Sequence, residues 1–181
     1  MVDEDTTAEL LDGMMIVHST ATIEHDDLSG FIRTIMRLFA RKRRRGKVLG
    51  PDSLIHLKTC RLFCPDAYFV EKRRAPTRRT KRFEGAPNLA LEVLSASNRD
   101  YDLEDKRLAF QAGGVGEIWF IDPVEECIII DRKRGRGYVE EIVTSGKARS
   151  EVLVGFWIDV DWLWKDPLPD ELDCLDEILG S

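Results

Sequence analysis

The chain has 181 residues, a net charge of −6 and a hydrophobic fraction of 43%. The length suits one folded domain and the apolar content suffices for a core, which excludes a wholly disordered chain. No apolar stretch approaches the roughly 20 residues of a membrane helix. The acidic N-terminus lacks a signal-peptide pattern and the four cysteines lack a disulfide framework, so we expect a cytoplasmic protein with no membrane contact.

The first third of the chain predicts a hairpin, a long helix and strands. Apolar stretches on both sides of Asp12 and Gly13 are typical of a β-hairpin, and we assign residues 1–24 to an N-terminal hairpin. Residues 25–45 carry a wide apolar stripe at helical spacing and a basic end, which predicts a helix. Gly46 and Gly50 end this helix. The following residues, up to 70, predict one or two strands.

The remainder predicts an α/β domain. A basic loop at 72–82 leads to a strand carrying Glu92, and a helix over 101–112 ends at Gly113 and Gly114. Three strands in an antiparallel meander follow, then a tryptophan-rich segment. An acidic helix is expected in residues 166–181. The whole chain, 1–181, is expected to be a single domain with its core in 25–165, built on a mixed sheet of five or six strands flanked by α-helices.

Basic residues concentrate in three islands. RKRRRGK spans 41–47, KRRAPTRRTKR spans 72–82, and RKRGR spans 132–136. Each island alone is consistent with a solvated surface. If folding brings the islands together, even an acidic protein gains a patch for a polyanion such as DNA.

Glu92 is out of place in its strand. In LALEVL, residues 89, 91 and 93 would face one side and residues 90, 92 and 94 the other, and all except Glu92 are apolar. This pattern is typical of a central strand that is covered on both faces. A buried, ionised carboxylate needs a cation, hydrogen-bond donors or a metal, so Glu92 requires a partner.

Two further residues can supply a site around Glu92. Asp66 follows Pro65 at the start of the preceding apolar strand, and two such strands would pair and bring both carboxylates to one edge. Mg²⁺ binds through a few carboxylate oxygens and water. Lys106 shares a helix face with Leu103 and Phe110, which places its ammonium nearby. Two acids and a lysine can hydrolyse phosphodiesters.

A purely structural interpretation of the same residues stays open. Glu92 could pair with a buried arginine, and Asp66 could be a turn residue after Pro65. Lys106 could pair with Asp102 four residues earlier on the helix surface.

Motifs along most of the chain resemble one family. PDAYFV, APNLALEVLSAS, YDLEDKRLAF and GGVGEIWFIDP occur in this order, and together they are similar to the Uma-type restriction endonucleases, a branch of the PD-(D/E)xK nuclease superfamily. The resemblance extends to ELLDG at 9–13 and to VLVGFWIDVDWLW. It implies a restriction-endonuclease-like fold with Mg²⁺, or Mn²⁺ in its place, at Asp66 and Glu92.

The resemblance also implies a catalytic lysine at an unusual position. The superfamily's lysine usually stands two residues after the acid, where this chain has Leu94, and in this family it lies on the next helix, at Lys106. Glu9 and His25 match other recurrent positions and are expected to border the site. The chain departs from the family pattern at Met14, Asn88 and Phe110.

The predicted function is a Mg²⁺-dependent DNA endonuclease with Asp66, Glu92 and Lys106 as catalytic residues. Phosphate-backbone contacts are expected from the basic loop, namely from Lys72, Arg73, Arg74, Arg78, Arg79, Lys81 and Arg82. Because one site cuts one strand, cleavage of a duplex favours a homodimer. The alternatives are an inactive nuclease-fold module that binds DNA or protein, and a subunit that docks a partner through its tryptophan-rich segment.

Overall fold

A mixed six-stranded β-sheet, in the order β11-β10-β9-β8-β6-β3, forms the centre of the protein. The structure is a computed structural model that describes residues 8–17, 22–58, 61–97 and 99–180. The strands are β1 (Ala8–Leu11), β2 (Met14–Val17), β3 (Gly46–Leu49), β4 (Ile55–Lys58), β5 (Arg61–Phe63), β6 (Ala67–Glu71), β7 (Phe83–Glu84), β8 (Leu89–Val93), β9 (Glu117–Asp122), β10 (Cys127–Arg134), β11 (Gly137–Val143), β12 (Lys147–Arg149) and β13 (Trp157–Asp159).

Three helices accompany the sheet. Helix α1 (Ile23–Lys42) begins where the side chain of Thr22 accepts a hydrogen bond from the backbone of His25. Helix α2 consists of three consecutive segments, which are Arg99–Tyr101, a π-helical turn at Asp102–Lys106, and Arg107–Gly113. Helix α3 (Glu171–Leu179) is capped by Asp170.

The central strand β8 is covered on both faces, as its sequence predicts. Leu89, Leu91 and Val93 belong to the core beneath α1, together with buried side chains of α1 and of β9. Ala90 and Leu94 belong to a second core on the opposite face, beneath α2 and a second sheet. The two-residue alternation of a strand therefore places Glu92 on the second face.

A second, five-stranded sheet, in the order β2-β1-β5-β4-β7, covers that second face. The predicted hairpin forms β1 and β2, and β1 pairs in turn with β5. The hairpin is thereby part of the main body, and its first strand delivers Glu9 to the interior, where the side chain is 2% exposed.

Several local predictions are confirmed and others are wrong. The N-terminal hairpin, the first long helix, the β9–β11 meander and the C-terminal helix are present. Residues 46–49 form strand β3, which the sequence did not indicate, because GKVL is too short to show a period. The one or two strands expected before residue 71 are three, β4 to β6, divided between two sheets.

No helix of the described residues is long and apolar enough to cross a membrane.

The first core provides a test of the fold. Ile130 on β10 is fully buried, whereas Ile142 on the neighbouring strand β11 is 55% exposed. We expect Ile130→Ala to lower the free energy of unfolding by about 2–5 kcal/mol through lost burial and a cavity, and Ile142→Ala to change it by less than about 0.5 kcal/mol. Urea denaturation measures both, and equal effects would contradict this packing.

Candidate active site

Asp66 and Glu92 lie side by side at one end of the sheet. Strands β6 and β8 are antiparallel, with Ala67 opposite Leu91. Continuing this register by one residue brings Asp66 opposite Glu92. The carboxylate of Asp66 also accepts a hydrogen bond from the backbone of Val93, with 2.7 Å between the oxygen and nitrogen atoms. The pairing that the sequence predicted for the two acidic strands is therefore present.

Lys106 is the partner of Glu92. Its Nζ lies 2.8 Å from Glu92 Oε1 and 3.0 Å from Glu9 Oε1. It also lies 3.7 Å from Asp102 Oδ1, four residues earlier. The side chains of Lys106 and Glu92 are only 4% and 5% exposed. The helix-surface pair with Asp102 thus exists, but it is buried and forms part of the same cluster as Glu92.

The π-helical turn of α2 positions the lysine. Asp102 and Lys106 bound this turn, and both are buried although the residues between them are half-buried or exposed. Such turns are rare and often occur at functional sites. On the next turn Phe110 packs beneath the lysine, with 5.9 Å between Nζ and the ring centroid.

Glu9 joins the N-terminal hairpin to the cluster. Its carboxylate accepts a hydrogen bond from the backbone of Cys64 at 2.9 Å and one from the hydroxyl of Tyr101 at 3.2 Å. With the ammonium of Lys106, these donors satisfy the buried charge of Glu9. Sequence comparison placed Glu9 at the border, whereas the structure brings it into direct contact with the lysine.

His25 contacts Asp66. Its Nε2 lies 3.2 Å from Asp66 Oδ2. The hydrogen bond to Asp66 raises the pKa of His25 although burial opposes the charged ring. The first turn of α1 therefore contributes a cationic or hydrogen-bonding group to Asp66.

The cluster contains more acids than bases. Burial raises the pKa of Glu92 well above its usual value, and the neighbouring carboxylates of Asp66, Asp102 and Glu9 raise it further against the opposing effect of Lys106. Burial opposes protonation of Lys106, but the three carboxylates around it more than compensate and raise its pKa well above its usual value. Lys106 is therefore an ammonium at neutral pH.

Two carboxylates of this cluster could hold Mg²⁺. The described residues contain no group of three His, Cys, Asp or Glu side chains arranged to hold an ion by themselves. Mg²⁺ requires less, because it typically binds through one or two carboxylates and completes its shell with water and substrate phosphate. Asp66 and Glu92 supply two adjacent carboxylates, and the excess of acids in the cluster favours a cation.

The basic loop starts at the other end of the same strand. Lys72–Arg74 form a 3₁₀ turn directly after β6, whereas Asp66 precedes that strand. Arg73 pairs with Glu71, Arg82 pairs with Glu84, and Arg74 donates to the carbonyl of Ala86. The other predicted DNA contacts are exposed and have no ion pair within the described ranges; they are Lys72, Arg78, Arg79 and Lys81.

The three departures from the family pattern leave the cluster in place. Asn88 stands at the start of β8, where its side chain accepts a hydrogen bond from the backbone of Glu71 at 3.0 Å. It lies four residues from Glu92 along an extended strand. Met14 is exposed on the hairpin. Phe110 is buried beneath Lys106, where it contributes an apolar surface.

The tryptophan-rich segment contributes to the core. Trp157 and Trp162 are buried, with 5.3 Å between their ring centroids, and both belong to the first core. Trp164 is half-buried against that core. The hypothesis of a partner docked on exposed tryptophans therefore loses its basis for Trp157 and Trp162.

Comparisons with known proteins give a family match and a similar solved structure. The model of the Uma2 family, described as "Putative restriction endonuclease", matches residues 2–161. A solved structure from Anabaena variabilis ATCC 29413, a "putative nuclease belonging to DUF820", is similar with a TM-score of 0.75 and 16% identity over 87% of this chain and 89% of that one. No curated protein matches. The structural likeness supports the restriction-endonuclease-like fold predicted from sequence.

Removing the buried ammonium tests the electrostatics of the cluster. Lys106→Met leaves Glu9, Glu92 and Asp102 without their shared cation, and we expect the free energy of unfolding at neutral pH to fall by about 3–5 kcal/mol. Lys81→Met, at an exposed lysine, should have little effect. Urea denaturation measures both.

The effect of Lys106→Met should depend on pH. The penalty comes from ionised carboxylates, and the raised pKa of Glu92 allows protonation to relieve it as the pH falls. The stability gap between wild type and Lys106→Met should therefore be smaller at pH 5 than at pH 8. A gap that is independent of pH would mean that lost packing of the lysine stem, and not charge, causes the destabilisation.

Proposed function

The chain belongs to the Uma2 family, described as "Putative restriction endonuclease", and on this premise we propose that it is a Mg²⁺-dependent DNA endonuclease. Family membership supports a nuclease, and the metal, the substrate and the residue roles are our proposal. The observation that carries it is the buried lysine held within 3.0 Å of two carboxylates, Glu9 and Glu92, beside Asp66.

Asp66 and Glu92 would hold the metal. When bound, Mg²⁺ would stabilise negative charge on the phosphate and lower the pKa of an attacking water. His25 orients Asp66 through Nε2, and the backbone amide of Val93 fixes the same oxygen. These contacts help to hold the carboxylate in place, which favours binding of a cation with strict geometry.

Lys106 would act as a cation and hydrogen-bond donor, not as a base. Its raised pKa keeps the ammonium protonated at neutral pH, so it cannot accept a proton from water. An ammonium in a buried site can orient the attacking water and offset the charge that develops on the phosphate in the transition state. Glu9 and Asp102 hold the lysine in place through contacts of 3.0 and 3.7 Å.

A DNA duplex has two strands, whereas the described residues of one chain form one such site. We therefore include a homodimer in the proposal for double-strand cleavage, whereas a single chain would nick. An inactive module of the same fold would bind DNA without cutting it, and the following experiment separates these functions.

Plasmid cleavage in Mg²⁺ or Mn²⁺ tests the activity. We expect wild type to nick or linearise supercoiled plasmid, and Asp66→Asn, Glu92→Gln and Lys106→Ala to lose at least about 100-fold in rate, as is usual when charge-stabilising groups are removed. Glu104→Gln, at an exposed acid on the same helix, is the matched control and should retain activity. Equal cleavage by all variants would reveal a contaminating nuclease.

Metal binding can be measured without activity. Glu92→Gln removes a desolvated charge while Lys106 keeps Glu9 and Asp102, so we expect the metal-free variant to be as stable as wild type or more stable. Millimolar Mg²⁺ should raise the Tm of wild type, because a ligand that binds only the folded state stabilises it, but should not raise that of Glu92→Gln. Equal shifts in both proteins would place the metal elsewhere.

A further inference from the structure

Two of the three basic islands meet in the folded protein. Strand β3 pairs with β6 so that Gly46 lies opposite Glu71. One residue beyond, the backbone of Lys72 donates to the carbonyl of Arg45 at 2.8 Å. The ammonium of Lys47 also donates to the carbonyl of Pro76. The two islands thus meet at the β3 side of the sheet, where residues 41–47 and 72–76 are here called the basic edge.

Four cations of the basic edge face solvent without a counter-ion among the described residues. Arg41, Lys42, Arg45 and Lys72 are exposed. Within the described ranges none of these four makes an ion pair. On an ordinary solvated surface, nearby opposite charges would pair with these cations. Because these four are unpaired, they concentrate positive potential in one place, although the chain has a net charge of −6.

The third basic island, residues 132–136, is partly paired with acids. Arg132 lies 3.4 Å from Glu117 and also pairs with Glu141, and Arg134 lies 2.7 Å from Glu151. Folding therefore neutralises much of residues 132–136. Folding thus neutralises Arg132 and Arg134 but leaves four cations of the basic edge unpaired among the described residues, a difference that does not follow from composition alone.

The basic edge and the acidic cluster lie at opposite ends of the same elements. From Asp66 to Lys72 the chain runs along β6 for about 20 Å, at roughly 3.3 Å per residue. From His25 to Arg41 it runs along α1 for about 24 Å, at 1.5 Å per residue. Two independent elements therefore give a similar separation.

We propose that the basic edge binds the phosphate backbone of the same DNA duplex whose scissile phosphate enters the cluster. The proposal rests on the nuclease function proposed above. A separation of about 20–24 Å corresponds to about six or seven base pairs at 3.4 Å each. The enzyme would then need that length of duplex on one side of the cleaved bond.

Fluorescence anisotropy with a labelled duplex tests the basic edge in EDTA, where no cleavage occurs. The edge variant is Arg41→Gln/Arg45→Gln/Lys72→Gln. The control is Lys133→Gln/Arg136→Gln/Lys165→Gln, which removes the same charge at exposed positions elsewhere. We expect the edge variant alone to bind at least about 10-fold more weakly at low salt, and its slope of log K against log salt to be smaller by up to about 3.

Cleavage kinetics and end mapping complete the test. In Mg²⁺ the edge variant should raise KM and leave kcat unchanged, since it removes binding far from the reacting phosphate. On an end-labelled linear duplex, wild type should avoid the last six or seven base pairs on one side, and the edge variant should lose this restriction.

The two proposals fail separately. Metal-dependent cleavage that requires Glu92, together with equal DNA affinity of the edge and control variants, would overturn the basic edge and leave the nuclease. Binding that depends on the edge without any cleavage would overturn the nuclease and support the DNA contact. Stronger edge-dependent binding to phosphatidylserine vesicles than to duplex would overturn DNA as the partner.

Discussion

The shared ammonium of Lys106 is the interaction on which the organisation of the protein depends. It connects the N-terminal hairpin through Glu9, the central strand through Glu92 and helix α2 through its own backbone. A buried pair seldom stabilises a fold more than apolar side chains of equal size would. Removing the shared ammonium is costly, however, because Glu9, Glu92 and Asp102 then lose their common cation, so the three elements must stay together. The cluster thereby couples stability to the geometry that the proposed chemistry requires.

The periodicity of the sequence predicted those residues of the cluster whose positions depend on a single strand or helix, or on two consecutive ones. The alternation in LALEVL placed Glu92 on a covered face, and the helical spacing of Leu103, Lys106 and Phe110 turned the lysine inward. Asp66 and Glu92 were expected to meet because each lies on an apolar strand and a basic loop joins these two strands. These inferences need only the periods of strand and helix.

The rest could not be predicted in the same way. Glu9 lies far from Lys106 in sequence, and nothing in ELLDG shows that β1 pairs with β5 and delivers the carboxylate there. The π-helical turn inserts one residue into a helical pattern and leaves the composition ordinary. Asp102 was named only as a surface partner of the lysine, because i,i+4 spacing is equally common on exposed helices. Long-range strand pairing decides the position of Glu9, and burial in the cluster decides that of Asp102.

The position of the lysine shows that the site depends on geometry more than on sequence spacing. A lysine two residues after Glu92 would lie on the same strand face, but that position is Leu94, which is buried in the second core. Helix α2 packs over the same face of the sheet and brings Lys106 Nζ within 2.8 Å of the Glu92 carboxylate. The strand position can then serve packing, while the helix supplies the charge. A search for an acid and a lysine two residues apart would miss this site. A search for an acid in a strand that is buried on both faces, followed by an inward-facing lysine on the next helix, would find it.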